Sequence, residues 1–324
     1  MQTHAIRLEA AGDPSVMQLV EIDLPDPAPG EVQLRHTAIG VNFIDTYHRS
    51  GLYPVKFPSG LGQEAAGVVE KLGEGVTDFK VGDRVAYPNG PLGSYARQRN
   101  MPAARLVPIP DGISDEVAAG SLMRGMTAQY LLKQTFEVKP GMTVLIHAAA
   151  GGVGQIACQW AQALGATVIG TAGSEAKCRL ARPFCDHVID YTNEHFAERV
   201  HLLTGNQGVP VVYDGVGAAT FEGSLASLAP RGLLVSFGNA SGPVPPFSPN
   251  LLASKGSLYL TRPTLGNYAS TRAELLAMAA DYFAIVASGR VRVTVNQRYP
   301  LADAAQAHRD LEARKTTGST VLIP

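Results

Sequence analysis

Residues 144–173 read VLIHAAAGGVGQIACQWAQALGATVIGTAG, and no other stretch restricts the fold so tightly. An apolar strand runs into a Gly-rich turn, a helix closed by Gly165 follows, and a second apolar strand comes next. Set against G-x-G-x-x-G, the turn is Ala149–Gly154, with Ala149 in place of the first glycine. Gly151 lets the backbone approach a pyrophosphate, and Gly154 permits close packing of helix on strand. The start of the helix VGQIACQWAQALG, with Gly152 just before Val153, offers free N–H groups and positive potential to phosphates. A Gly triplet alone means little; a strand, a helix and a βαβ span of about thirty residues give it the context of a dinucleotide site. The competing reading is a tight turn in a ligand-free α/β domain.

The identity of the dinucleotide is written at the end of the second strand. NAD enzymes place Asp or Glu there for the ribose 2′-hydroxyl. This chain has GTAGSEAK, so Gly173 and Ser174 take that place and Lys177 follows. A hydroxyl and an ammonium suit a 2′-phosphate, which favours NADPH. Glu175 opposes this if it turns toward the ribose, and Lys177 has an alternative role as a solvated helix-face lysine.

Around this unit the pattern divides. The first hundred residues are short Val/Ile/Leu-rich segments, such as HAIRLEA, MQLVEIDL and EVQLRHTAIGV, separated by GDP, PDPAPGE and KVGD turns. They predict a barrel-like β domain. SDEVAAGSLMRGMTAQYLLKQ predicts a helix with Ser114 as its N-cap. From residue 140, strands and helices alternate, which predicts a doubly wound parallel sheet. The expected division is 1–123 with 263–324 for the first domain and 124–262 for the second, an α/β chain overall.

Composition narrows the partners. Lys+Arg 27 against Asp+Glu 28 gives a net charge of -1 with no basic block, so nucleic acid is an unexpected ligand. The apolar runs are short and broken by Gly, which argues against a membrane span. The start, MQTHAIRLEAAGDP, has no secretory pattern, and three cysteines without CxxC pairing fit a reduced, cytoplasmic setting. Cys158 reads as a small buried apolar residue. His147 reads as a packed histidine beside the turn, and none of the eight His forms HExxH.

The domain order resembles the medium-chain dehydrogenase/reductase superfamily, over essentially the whole chain. That resemblance implies a GroES-like β-barrel catalytic domain joined to a Rossmann domain. In its zinc alcohol dehydrogenases the loop matching GLGQEAAG carries a His before the Glu; here it is Gln63. A zinc-ligand Cys expected near GVNFIDTY is Asn42, and no Cys precedes residue 158. Amides are poor zinc ligands, so no metal site is expected. Glu64 is left as a loop acid hydrogen-bonded inside the fold.

GVNFIDTYHRSGLYP, GQEAAGVVEKLGEGV, VVYDGVG, SFGNASG and GSLYLTRPTL, taken together, resemble the zinc-free NADPH:quinone oxidoreductases of zeta-crystallin type. One departure is RPFCDHVIDY, where relatives usually have a Gly-Ala-Asp helix end. Pro183 should stop that helix early.

The resemblance implies NADPH-dependent reduction of quinones by hydride or electron transfer in an interdomain cleft. It places Asn42 beside the nicotinamide ribose, Thr127 near the nicotinamide, and Ser174, Lys177, Tyr191 and Arg314 around the 2′-phosphate. Val216, Asn239 and Arg262 border the cofactor. Tyr47 and Tyr53 are candidates for holding the acceptor oxygen, against the alternative that they only pack; for Asn42 the alternative is a turn residue. Reduction of an enone or 2-alkenal C=C bond is a second enzymatic reading. A non-catalytic NADPH-binding or RNA-associated protein is a reading of another class. GSLYLTRPTL also has the character of an edge strand, so a homodimer through 257–264 is expected.

Overall fold

The computed structural model describes residues 1–324 as two compact units. The first takes Met1–Met126, Ala269–Ala287 and Val293–Pro324; the second takes Thr127–Tyr268 and Ser288–Arg292. No helix is long and apolar enough to cross a membrane.

A seven-stranded sheet organises the first unit, in the order Val295–Pro300, Ser319–Ile323, Glu31–Gly40, Ala65–Leu72, Arg84–Tyr87, Val107–Pro108, with Gln98–Pro102 also paired on Glu31–Gly40. Its pairs are antiparallel except Val295–Pro300 with Ser319–Ile323. Register shifts at Gln33/Leu34 and His36/Ala38 interrupt the long strand, and such bulges bend a sheet around its core. Strands Gln18–Asp23, Gln2–Leu8 and Ser59–Gly60 form a smaller sheet. Ile6 and Leu8 from it share one core with Val32, Leu34, Ile39, Val85 and Leu322.

The β-rich reading of this region overlooks one element, the helix Phe43–Ser50. Its signals are present in the sequence. Asn42 is the N-cap, the Asp45 carboxylate accepts from the Asn42 backbone N–H at 2.8 Å, and Gly51 ends the helix at φ 84°.

The second unit is built on a six-stranded sheet in the order His187–Asp190, Thr167–Ala172, Thr143–Ile146, Val209–Asp214, Leu228–Ser236, Tyr259–Thr261. Every pair is parallel. Numbered by chain order this is 3-2-1-4-5-6, the doubly wound arrangement of dinucleotide-binding domains. Its central strands are buried along most of their length, as strands with helices on both faces require. Leu145, Ile169, Val212 and Leu234 meet helix residues Val200, Phe221 and Leu225 in its core.

Helix Asp115–Tyr130 contains the boundary between the units, after Met126. Ser114 caps it, its Oγ accepting from the Val117 N–H at 3.2 Å. The sequence predicts α-helix through Gln134, but Leu131–Thr135 forms a π-helical turn. The five-residue spacing of that turn brings Gln134 Nε2 to Gln129 Oε1 at 2.7 Å.

Candidate active site

In a parallel sheet all carboxyl ends face one way, and the second unit uses each of its six. The Gly-rich turn follows Thr143–Ile146, and Ser174 and Lys177 follow Thr167–Ala172. Tyr191 comes after His187–Asp190, Val216 after Val209–Asp214, Asn239 after Leu228–Ser236 and Arg262 after Tyr259–Thr261. Ligands of open α/β sheets bind on this edge, nearest the point where strand order reverses, here between Thr143–Ile146 and Val209–Asp214.

The turn is fixed by close backbone packing. Gly151 N–H donates to the Ala148 carbonyl at 2.8 Å, and Ala148 itself sits at φ 52°. A Cβ on Gly154 would overlap that same carbonyl oxygen, and one on Gly151 would lie 3.1 Å from it. Gly151 is the N-cap of helix Gly152–Ala163, so the first-turn N–H groups point out of the turn with no acceptor inside the helix. The cradle fits a pyrophosphate.

Beyond the second strand, Ser174 caps helix Glu175–Ala181, its Oγ accepting from the Lys177 N–H at 3.3 Å. The helix ends at Ala181 and Pro183 lies in a 3-10 turn, Arg182–Phe184, as its ring dictates. Glu175 pairs with Arg182 at 3.1 Å. The Tyr191 hydroxyl lies over Gly173, where a Cβ would collide with it. Gly173 thus makes room for the Tyr191 ring beside Ser174.

At the other end of the edge, Arg262 Nη1 donates to the Ser236 carbonyl at 2.8 Å. With its amide oxygen toward Arg262, Asn239 accepts from Nη2 at 3.2 Å and donates to the Gly238 carbonyl at 3.0 Å. Thr127 hydrogen-bonds Tyr130, whose hydroxyl also feels the Arg262 charge, so Thr127 and Arg262 both lie beside Tyr130. Burial raises the Tyr130 phenol, and its ring stacks on Tyr268 at 4.4 Å. The Val216 carbonyl accepts from the Ser241 N–H at 2.7 Å, tying the turn after the fourth strand to the loop that carries Asn239.

His147, wholly buried, belongs to a directed chain beneath the turn. Ser224 Oγ gives its proton to Asp214 at 2.8 Å, so the ring nitrogen Nε2 facing Ser224, at 3.0 Å, is the donor. Nδ1 then accepts from Thr171 Oγ1 at 2.8 Å. Asp214 in turn accepts from the Val216 and Gly217 N–H groups at 2.8 and 3.0 Å, fixing that loop. Burial pushes the imidazole below its ordinary 6.5, against the pull of Asp214. The histidine is a packed strut.

In the first unit, the residues singled out in sequence lie in two groups. Tyr47 and Tyr53 stand together, ring centroids 5.2 Å apart, with the Tyr53 N–H donating to the Tyr47 carbonyl at 3.0 Å. Asn42 is buried and its amide is held at both ends: Nδ2 donates to Glu64 Oε2 at 2.7 Å, and Oδ1 accepts from Arg124 Nε at 3.0 Å. Glu64 is fully buried, as expected of an interior loop acid, and also accepts from the Met123 N–H at 2.6 Å. Burial pushes its carboxyl up to about 8, while Arg124 and these donors pull the other way. Nearby Asp45 is pushed up to about 7 by burial and accepts from the Tyr95 hydroxyl at 3.0 Å. Arg314 is exposed at φ 58°, just past helix Ala304–Glu312.

Arg124 is the residue that sequence reasoning missed. Besides Asn42 it binds the carbonyls of Val41, Gly120 and Gly318. Its signal was a lone arginine within SLMRGM, an otherwise apolar helix segment. Gln63 Nε2 donates to Gly90 O at 3.2 Å and Asn89 Oδ1 at 3.4 Å. No three His, Cys, Asp or Glu side chains come together as a metal site.

Comparison with known proteins supports this architecture. The alcohol dehydrogenase GroES-like domain family matches residues 28–111, and the zinc-binding dehydrogenase family matches 152–281. A quinone oxidoreductase of Pseudomonas aeruginosa is 55% identical over 98% of this chain and 99% of its own. The crystal structure of Escherichia coli quinone oxidoreductase complexed with NADPH superposes at TM-score 0.97 with 50% identity, covering 99% of this chain and 100% of that one. A 2-haloacrylate reductase of a Burkholderia species is 47% identical over 97% of this chain and 96% of its own. With both units matched and half the residues shared from end to end, the chain is an oxidoreductase that belongs to the quinone oxidoreductase family of the medium-chain dehydrogenase/reductase superfamily.

Proposed function

We propose that this enzyme reduces quinones with NADPH and requires no zinc. The observation that carries the reading is the carboxyl edge of the 3-2-1-4-5-6 sheet, where every strand delivers one of the residues expected around a dinucleotide. The NADPH held by the Escherichia coli relative supports the same choice of cofactor.

Gly151, Gly152, Val153 and Gly154 bind the pyrophosphate through backbone N–H groups. Ser174, Lys177, Tyr191 and Arg314 take the 2′-phosphate; Glu175, engaged with Arg182, leaves that place without an acid. Thr127, Val216, Asn239 and Arg262 border the nicotinamide half, with Asn42 beside its ribose. When bound, the nicotinamide supplies the hydride.

Zinc does not suit the donor set. The two positions that zinc relatives use carry amides, and those of Asn42 and Gln63 are already hydrogen-bonded within the fold. A quinone needs no Lewis acid, because hydride uptake gives an aromatic hydroquinone anion. The chain has to orient the acceptor, which can be worth about 7–11 kcal/mol, and offer hydrogen-bond donors to its oxygens. Tyr47 and Tyr53, whose rings stand 5.2 Å apart, are the candidates for that role.

The test follows NADPH absorbance with chelator-treated protein, offering 1,4-benzoquinone, a 2-alkenal and 2-chloroacrylate separately. Rapid oxidation by the quinone alone is the expected result. The 2-haloacrylate reductase relative favours a second reading, reduction of an activated C=C bond, and turnover confined to the alkenal or chloroacrylate moves the assignment there. NADPH binding without turnover of any acceptor leaves a binding protein.

Two copies pairing through Tyr259–Thr261 is part of the proposal. That strand is outermost in its sheet, and Tyr259 is 62% exposed. Sedimentation showing only monomer at micromolar protein removes it.

A further inference from the structure

RPFCDHVIDY, the segment that departs from the family pattern, puts a thiol where relatives usually have alanine. Cys185 follows the turn Arg182–Phe184, which packs on helix Gly152–Ala163, and in that helix Cys158 is close enough for the two thiols to interact. Cys185 Sγ rests over Gly170, where a Cβ would come within 2.5 Å of it. Cys158 is sealed at 0% exposure, while Cys185 keeps 8% and lines an open cleft of about 310 Å³ with Arg182, Asp186, His187 and Arg199. Both thiols are buried, Cys185 being the one nearer solvent and Cys158 the more deeply enclosed.

We propose that Cys158 and Cys185 are a reversible oxidation site that closes to a disulfide under hydrogen peroxide. Cys185 Sγ attacks the peroxide O–O bond; its proton leaves with the departing oxygen as water, and the sulfur becomes a sulfenic acid. Cys158 Sγ then attacks that sulfur, and its proton leaves with the hydroxyl as a second water. In sum, two thiols and one hydrogen peroxide give one disulfide and two waters. The sulfurs have to approach to about 2.05 Å, which draws the turn Arg182–Phe184 and the helix together. Burial and the neighbouring thiol hold Cys158 well above the ordinary thiol range, which suits it to the second step rather than the first.

The experiment treats reduced, full-length protein with hydrogen peroxide, alkylates it under denaturing conditions and maps the peptides by mass. The expected product is a Cys158–Cys185 bridged peptide, two hydrogens lighter, reopened by dithiothreitol, with Cys178 alkylated. In Cys158→Ser, Cys185 should accumulate as a dimedone-reactive sulfenic acid; in Cys185→Ser, Cys158 should stay reduced. A wild-type protein that leaves both thiols alkylated while exposed methionines oxidise overturns the proposal. So does one in which Cys185 proceeds to sulfinic acid with Cys158 still free, or one bridged through Cys178. The wild-type map decides even where a variant fails to fold.

Discussion

In the first unit three ionisable side chains, Asp45, Glu64 and Arg124, are buried around Asn42. Beneath the Gly-rich turn of the second unit the buried polar residues are His147, Thr171, Thr220 and Ser224, gathered about a single carboxylate, Asp214. The second arrangement is directional and rests on backbone N–H groups. The first depends on charge compensation: each ion is tolerable only while its partners are present. Removing one member should thus be costly in the first unit, whereas the second should respond chiefly to added volume at its glycines.

The largest expected effect tests charge compensation. Read above pH 8, where the Glu64 carboxyl is ionised, Arg124→Met leaves that charge buried without its cation and removes a donor from the Val41 and Gly318 carbonyls; it should cost about 3–5 kcal/mol, seen as a lower urea midpoint. Adding Glu64→Gln should recover part of the loss, because the stranded charge is gone. A loss under about 1 kcal/mol, the scale of a surface pair, erases the contrast between the units.

Gly154→Ala probes the second unit. The added Cβ overlaps the Ala148 carbonyl, so the turn must shift. A displacement of about 1 Å at a binding turn can cost about 100-fold, and kcat/KM for NADPH should fall on that scale. Gly151→Ala, with 3.1 Å to the same oxygen, should fall less. Equal, small losses in both would show that the phosphates do not depend on this approach.

The pH dependence of stability separates the units again. Folding raises Glu64 from 4.5 to about 8 and Asp45 from 3.8 to about 7. The folded chain then keeps protons that the unfolded chain has released, so this stability is full below the unfolded values and is lost as pH climbs through about 8. His36 and His308, lowered from 6.5 to about 4 and about 3, act oppositely: their neutral folded forms gain stability as pH rises toward 6.5. The two effects oppose each other up to about pH 6.5; above it the carboxyls lead the decline, and the raised thiols of Cys158 and Cys178 add to it as pH nears 9. Urea midpoints should decline from pH 6.5 to 8.5, and Glu64→Gln should flatten the decline. An unchanged slope in that variant means that Glu64 is ionised throughout, as its two accepting oxygens and Arg124 would favour.

The same contrast explains what could be read from sequence. The second unit is local: strand, turn, helix and strand follow one another, so periodicity and Gly spacing reveal the turn Ala149–Gly154 and the places of Ser174 and Lys177 after the next strand, whereas Tyr191, Val216, Asn239 and Arg262 come only from the family resemblance. Helix Phe43–Ser50 is short and surrounded by strands, and its cap, Asn42, spends its side chain on Glu64 and Arg124 instead. Arg124 acquires its role only when residues 41, 42, 64 and 318 converge on it. No window of sequence contains that meeting. The glutamate could be seen to lack a metal-binding neighbour; the arginine that steadies it could not be seen.

The smallest effect concerns cofactor choice. Lys177→Ala should weaken NADPH by about tenfold, the scale of one charged hydrogen bond at roughly 1.5 kcal/mol, and leave NADH nearly unchanged. Glu175→Ala should alter neither, because Glu175 faces Arg182. The ratio of kcat/KM for the two cofactors is the measurement, since a turn defect of the Gly154 kind lowers both together. If Lys177→Ala depresses NADH as strongly as NADPH, the side chain supports the loop rather than the 2′-phosphate, since the Ser174 cap uses only the Lys177 backbone N–H, and discrimination must rest with Tyr191 over Gly173. Tyr191→Phe then becomes the variant that shifts the ratio.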